Sequence, residues 1–241
     1  VGTIGIADYD VVSLHNLHRQ VLYSTADVGL PKAATAAQKL EALNPHNKYR
    51  VFAERINEKN IAHLITDYDV VVDGTDNFTT RYLINDACML AGKPLVFGAI
   101  NRFEGQVAVF GLPGVSGEII HYRDLFPHPP QAGEVANCAE SGVLGVLPGI
   151  VGSLMANEVL KLLLGIGQPL CSQLLTYNAL TNELMQWQLK KHPQSDALLP
   201  PDTAALRQKN YDYECGVSPT LQLLTRQEVW ELIGEPDTLL I

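Results

Sequence analysis

The 241-residue chain contains no G-x-G-x-x-G turn, no C-x-x-C pair and no excess of basic charge. Each absence narrows what the protein does. A formal net charge of -9 argues against general nucleic-acid binding, because a phosphate backbone would be repelled rather than neutralised. The four cysteines, Cys88, Cys138, Cys171 and Cys215, stand far apart and form no dense framework, which reads as a reducing, cytoplasmic compartment. The opening Val-Gly-Thr-Ile-Gly-Ile lacks the basic region and long apolar core of a secretory signal. The most apolar stretch, residues 142–166, has the length of a membrane span, but Asn157, Glu158 and Lys161 interrupt it and Pro148 breaks its first part. Charge inside a membrane is costly, so a buried or subunit-interface helix is the better reading.

What is present fits a folded, soluble α/β chain, with 46% hydrophobic and 18% charged residues. Thr3-Ile4-Gly5-Ile6-Ala7 reads as a buried strand ending at Asp8. Pro31 suits a first helical position, residues 34–43 are rich in helix formers, and Asn44-Pro45 stops them. A strand over 49–53, a short helix over 60–64 and the apolar Val70-Val71-Val72 follow. Next come a helix over 77–91 with Gly92 as its stop, and a strand over 94–97. This alternation predicts a mostly parallel, doubly wound sheet. From Gln106 onward the pattern changes to a strand over 106–110 and a hairpin over 174–189, which predict an antiparallel extension. Residues 191–220 read as a polar linker after a domain over 1–190.

In doubly wound folds ligands bind beyond the carboxyl ends of the strands, and two acids stand there: Asp8 after the first strand and Asp76 after Val70-Val71-Val72. An acid at such a position accepts hydrogen bonds from ribose hydroxyls, and a second can orient Mg²⁺. Between them lie Asn16, Arg19, Gln20 and Lys32, which can converge on a polyphosphate, Arg as a bidentate fork and Lys as a point charge. By spacing alone, such acids are more often turn residues and such cations are more often solvated surface charges. The first strand has the character of a second strand of this fold, and the Gly-rich turn that would precede it is missing. Weak ATP binding by this stretch alone is therefore expected.

The run Asp8-Tyr9-Asp10-Val11-Val12-Ser13-Leu14-His15-Asn16-Leu17-His18-Arg19-Gln20 resembles the D-x-D-x-V-x-x-x-N-L-x-R-Q signature of the MoeB/ThiF/HesA family, relatives of ubiquitin-activating enzymes. Val28-Gly29-Leu30-Pro31-Lys32, Asp73-Gly74-Thr75-Asp76-Asn77, Arg81, Phe97-Gly98-Ala99, Glu104-Gly105-Gln106 and Cys138-Ala139-Glu140-Ser141-Gly142-Val143-Leu144-Gly145 continue it in register to about residue 190. The resemblance implies a Rossmann-like fold and an ATP site. In it Asp8 holds the ribose, Asn16, Arg19, Gln20 and Lys32 contact the phosphates, and Asp76 with Asn77 serves Mg²⁺. It also implies adenylation of the C-terminal glycine of a small ubiquitin-like sulfur-carrier protein ending in Gly-Gly. The implied setting is molybdopterin or thiamine synthesis or a related thiolation pathway, and the implied assembly is a homodimer.

In relatives fused to a sulfurtransferase domain, the cysteine matching Cys138 is associated with thioester or persulfide transfer. A thiol near a helix N-terminus gains thiolate character, and the alternative is a small loop residue without chemistry. Many members carry a zinc site of two C-x-x-C pairs. Here those positions read His121, Asp124, Asp212 and Cys215, and replacing three thiolates with an imidazole and two carboxylates argues against zinc. Residues 221–241 resemble the entry to a rhodanese-like domain, with Leu224-Thr225-Arg226-Gln227-Glu228 followed by a strand that ends Leu239-Leu240-Ile241; a plain helix–strand tail is the alternative. Two other readings compete for the whole chain: a non-catalytic adenylation-like scaffold, and a nicotinamide-dependent oxidoreductase. The latter lacks a hydride-transfer constellation.

Overall fold

A computed structural model of the chain describes residues 2–130 and 142–215. Strand β1 (Thr3–Ala7) pairs in parallel with β2 (Lys48–Phe52), Thr3 opposite Lys48 and Ala7 opposite Phe52. Helix α1 (Lys32–Leu43) makes the crossover between them. Its inward residues, Ala33, Thr35, Ala36 and Ala37, are small enough to bring the helix close. On β1, Gly5 leaves room for the ring of Tyr68, which occupies the space a Cβ would take.

A second sheet runs in the order β3 (Val71–Asp73), β4 (Leu95–Asn101), β5 (Glu104–Phe110), β6 (Gln173–Asn178), β7 (Glu183–Gln188). Only β3 and β4 pair in parallel there, and the other three ladders are antiparallel. The parallel part is thus smaller than the strand–helix alternation predicts. The parallel pairs are divided between two sheets, and β4 does not stop at Phe97: it continues to Asn101 and doubles straight back as β5, through a turn in which Arg102 adopts φ 52°.

Both faces of this sheet are covered, as in a doubly wound fold. Short helix α2 (Ile61–Thr66) and α3 (Phe78–Ala91) contribute Ile61, Ile65, Tyr82, Leu83 and Cys88 to one core, together with Phe97 and Phe110. On the opposite face Val96, Val107 and Val109 meet Leu147, Val151 and Met155 of a long helix, α5 (Leu147–Leu164). Gly98 and Gly105 permit that approach, since a Cβ on either would strike Met155 or Val151. By length and composition α5 passes as a membrane span, yet Leu147, Val151, Met155 and Glu158 are buried within the protein. The Glu158 carboxylate accepts the Leu170 N–H at 2.9 Å and pairs with Lys161 at 2.6 Å. The outward side of α5, including Leu160, Leu163 and Leu164, is exposed.

Residues 191–215 are not a free linker. They carry α6 (Thr203–Gln208) and α7 (Tyr211–Glu214), and Leu206 and Tyr211 are fully buried. The polar composition that suggests a linker is used instead in a buried ion network. Arg123, on the one-turn helix α4 (Tyr122–Leu125), forks onto Asp86 of α3 through Nε and Nη2, each at 2.8 Å. The Tyr211 hydroxyl donates to the same carboxylate at 2.7 Å, and the Lys209 ammonium lies 3.3 Å from it. Burial opposes the charge on Arg123, but the Asp86 hydrogen bonds and charge outweigh it and raise its pKa. Residues 221–241 lie outside the described residues.

Two outcomes are expected. Asp86→Ala removes both short hydrogen bonds from the buried Arg123 and leaves as its ion pair only the longer one with Glu214 at 3.4 Å, so the urea midpoint should fall by the equivalent of about 3–5 kcal/mol. An unchanged midpoint would show that the pair does not support the fold. The second concerns Asp27, whose carboxylate binds Lys39 at 2.6 Å and the Ser24 N–H and hydroxyl at 2.6 and 2.7 Å. Lys39 first, then Ser24, lower its pKa to about 2 from 3.8. A depressed acid stabilises the fold above its ordinary pKa and loses that contribution as protons bind. The stability difference between wild type and Asp27→Asn should therefore shrink as pH falls from about 4 to about 2. A pH-independent difference would contradict it.

Candidate functional site

Asp8 follows directly on β1, half-buried, and its Oδ1 accepts the Asp10 N–H at 2.9 Å. This tight turn spends one carboxylate oxygen on its own backbone. Asp10 in turn reaches across the loop. Its backbone carbonyl accepts the Lys32 N–H at 2.9 Å, and its Oδ2 lies 3.0 Å from the Lys32 ammonium. Lys32 is the first residue of α1 and only 7% exposed, so its charge sits at a helix N-terminus within the fold. The Tyr23 hydroxyl donates to the Lys32 carbonyl at 3.0 Å and fixes the loop from behind. Asp8 and Asp10 are thereby joined to Lys32, 22 residues on from Asp10, at one end of the β1–β2 sheet.

The intervening loop carries the other polar candidates. Ser13 starts a 3-10 turn over Leu14–Asn16, and the buried Asn16 accepts the Ser13 N–H through Oδ1 at 3.2 Å. The Asn16 carboxamide oxygen is therefore spent on shaping the loop, which leaves its amide nitrogen as the group that can donate to an anion. The Arg19 and Gln20 N–H groups both donate to the Asn16 carbonyl, at 3.0 and 2.9 Å. Arg19 is half-buried and holds the His15 carbonyl through Nη1 at 3.0 Å, so one edge of the guanidinium is anchored. Gln20 Oε1 is buried with no partner among the described residues, an orphaned acceptor within the same loop.

Asp76 lies in the other half of the molecule, exposed in the turn between β3 and α3. Asn77 caps α3, its Oδ1 accepting the Thr80 N–H at 2.9 Å, so its carboxamide is already engaged. No hydrogen bond or ion pair among the described residues ties Asp76 to Arg19 or Lys32. The structure thus links Asp8 to Lys32 through Asp10, gathers Asn16, Arg19 and Gln20 on one loop, and keeps Asp76 and Asn77 on a separate strand end. Cys138 lies outside the described residues. Sequence reasoning did not single out Asp10 as the partner of Lys32. The signal for it was the alternate acid of the D-x-D spacing, which puts a second carboxylate just beyond the strand end.

Of the four positions that match the zinc ligands, His121 and Asp124 stand together, His121 Nε2 3.7 Å from Asp124 Oδ2, and both have further partners. His121 Nε2 lies 3.1 Å from Asp196, and Asp124 accepts from Lys191, Ser195 and the His192 N–H. Burial lowers the pKa of His121 and favours its neutral form. Asp212 pairs with Arg55 at 3.1 Å, and burial pushes the Cys215 thiol up to about 11. Among the described residues, no group of three or more His, Cys, Asp or Glu side chains is arranged to hold a metal ion.

Comparison with known proteins adds three likenesses. The sulfur carrier protein adenylyltransferase of Thermus thermophilus is 53% identical over 194 residues, which cover 80% of this chain and 72% of the relative. The adenylyltransferase and sulfurtransferase MOCS3 of Xenopus laevis is 40% identical over 235 residues, 95% of this chain and 51% of its own length. The chain thus spans about half of that longer relative. Among solved structures, MccB of E. coli shares the fold with a TM-score of 0.67 at 18% identity, over 80% of this chain and 57% of that one. The ThiF family model matches residues 1–198, and the chain belongs to the ThiF family.

Proposed function

We propose that the protein uses ATP and Mg²⁺ to adenylate the C-terminal glycine of a small ubiquitin-like sulfur-carrier protein ending in Gly-Gly. The observation that carries this reading is the buried Lys32 ammonium at the start of α1, held by Asp10 beside Asp8. It sets a cation for phosphate next to an acid for ribose, within a protein of net charge -9. Membership of the ThiF family and the identity to a sulfur carrier protein adenylyltransferase support the substrate class.

The reaction brings two anions together. A carboxylate oxygen of the carrier's terminal glycine bonds to the α-phosphorus of ATP, the bond to the α,β-bridging oxygen breaks, and pyrophosphate leaves with that electron pair. Asp8 accepts hydrogen bonds from the ribose hydroxyls. Lys32 has three N–H donors; one serves Asp10, and the remaining two make no hydrogen bond among the described residues and can meet phosphate oxygens. Arg19 adds a fork whose other edge is anchored on the His15 carbonyl. Together they offset the charge that grows on the departing pyrophosphate. Asn16 and Gln20 complete the phosphate loop. Asp76, beside Asn77, would hold Mg²⁺, which when bound supplies further charge neutralisation on the phosphates.

The protein works in the cytoplasm as a homodimer, and the exposed apolar side of α5 supports the dimer. The sulfurtransferase activity in the name of the Xenopus relative supports a rhodanese-like domain from residue 221 and a role for Cys138 after adenylation. Molybdopterin synthesis, thiamine synthesis and a related thiolation pathway are the settings in which such a carrier operates.

ATP–pyrophosphate exchange by the full-length protein with a Gly-Gly-ending carrier tests this. Lys32→Ala and Asp76→Asn should each lower exchange by about 10²–10³-fold with the fold intact. Wild-type exchange in both would overturn the assignment. Cys138→Ala should retain exchange and lose sulfur or acyl transfer; loss of exchange in a folded variant would count against that division of labour.

A further inference from the structure

Asp76 makes no hydrogen bond or ion pair with any described residue through its carboxylate, so its aim is set by the backbone that carries it. That backbone is gripped at two consecutive peptide groups. Asp73, the last residue of β3 and 1% exposed, accepts the Thr75 N–H at 2.8 Å and the Thr75 hydroxyl at 2.7 Å, both through Oδ1. Arg81, one turn into α3 and 8% exposed, donates from Nε at 3.2 Å and Nη2 at 2.7 Å to the Thr75 carbonyl. That carbonyl belongs to the peptide group whose nitrogen is Asp76's own. On the far side, Asn77 pins the start of α3 through the Thr80 N–H.

We infer that Asp73 and Arg81 are positioning residues for adenylation, which fix the Thr75–Asp76 peptide and so aim the Asp76 carboxylate. The inference rests on the role proposed for Asp76. Arg81 is suited to this by its planar fork: two N–H groups converge on one oxygen while the guanidinium sits 5.7 Å from the ring centroids of both Phe78 and Phe97. A lysine would keep the charge but lose the second donor and the stacking. Burial raises the pKa of Asp73, and the Thr75 hydrogen bonds and then the charge of Arg81 oppose that rise without cancelling it. The remaining oxygen of Asp73, Oδ2, is buried without a partner among the described residues, so the hold of Asp73 on the turn runs through Oδ1 and Thr75.

The test compares Arg81→Ala, Arg81→Lys, Thr75→Val, Asp76→Asn and the Arg81→Ala/Asp76→Asn pair in the full-length protein. Each is measured by kcat and KM for ATP in pyrophosphate exchange and by thermal melting. Arg81→Ala should lower kcat about 100-fold with KM for ATP little changed, since misplacing a reacting group costs rate rather than binding. Arg81→Lys should recover part of that loss, and Thr75→Val, which removes only the hydroxyl tie to Asp73, should lower kcat in the same sense. In the Asp76→Asn background Arg81→Ala should cost nothing more, because it acts through the group already removed. A further loss of the same size in that background would make Arg81 structural and overturn the inference. Wild-type kcat in Arg81→Ala would overturn it too. Should Arg81→Ala fail to fold, Thr75→Val decides: wild-type kcat there sinks the clamp. Wild-type activity in Asp76→Asn would instead sink the role of Asp76 itself, which is a separate outcome.

Discussion

A bidentate ion pair between Asp86 and Arg123, with the Tyr211 hydroxyl and the Lys209 ammonium closing around it, fixes α3 against α4 and the C-terminal helices. Such a pair is costly to desolvate, and its worth lies in satisfying every partner at once. It explains why α3 is buried from Arg81 through Cys88 and why a polar tail packs onto the domain. Because α3 begins beside Asp76, its placement also decides where that carboxylate stands.

Charge is managed on two scales. Overall the chain is acidic, which disfavours stray polyanions. Locally, Lys32 is brought to the start of a helix and kept there by Asp10, while Arg19 is anchored at one edge. An ammonium paired to a single carboxylate keeps donors to spare, which is what the proposed phosphate contact requires. The same economy governs Asp8, where one oxygen closes a turn and the other is the one the proposed ribose contact would use.

Much of the parallel half was legible in the sequence because its elements announce their own ends. Asn44-Pro45 stops α1, Asn77 caps α3, and Gly92 ends it in a left-handed conformation at φ 60°. The extent of β4 was not legible. Gly98 and the polar Asn101 break the apolar run, and their place in a strand depends on α5 pressing against glycines, a tertiary fact. The fate of residues 191–215 was hidden for a similar reason: charged residues read as solvated until their buried counter-ions are known.

In the site, the motif residues were readable one by one, but their linkage was not. Sequence supplied Asp8, Arg19, Lys32 and Asp76, yet Asp10 and Arg81 act through partners 22 and 6 residues away. Contacts of that kind emerge only when the loops are folded. The central claim is transfer of an adenylyl group to a carrier's terminal carboxylate. Intact-mass analysis of a Gly-Gly-ending carrier, incubated with ATP, Mg²⁺ and the full-length protein, reads this directly. The account predicts one added adenylyl group per carrier, lost on deleting the terminal glycine; an unmodified carrier, or an adduct that survives that deletion, would contradict it.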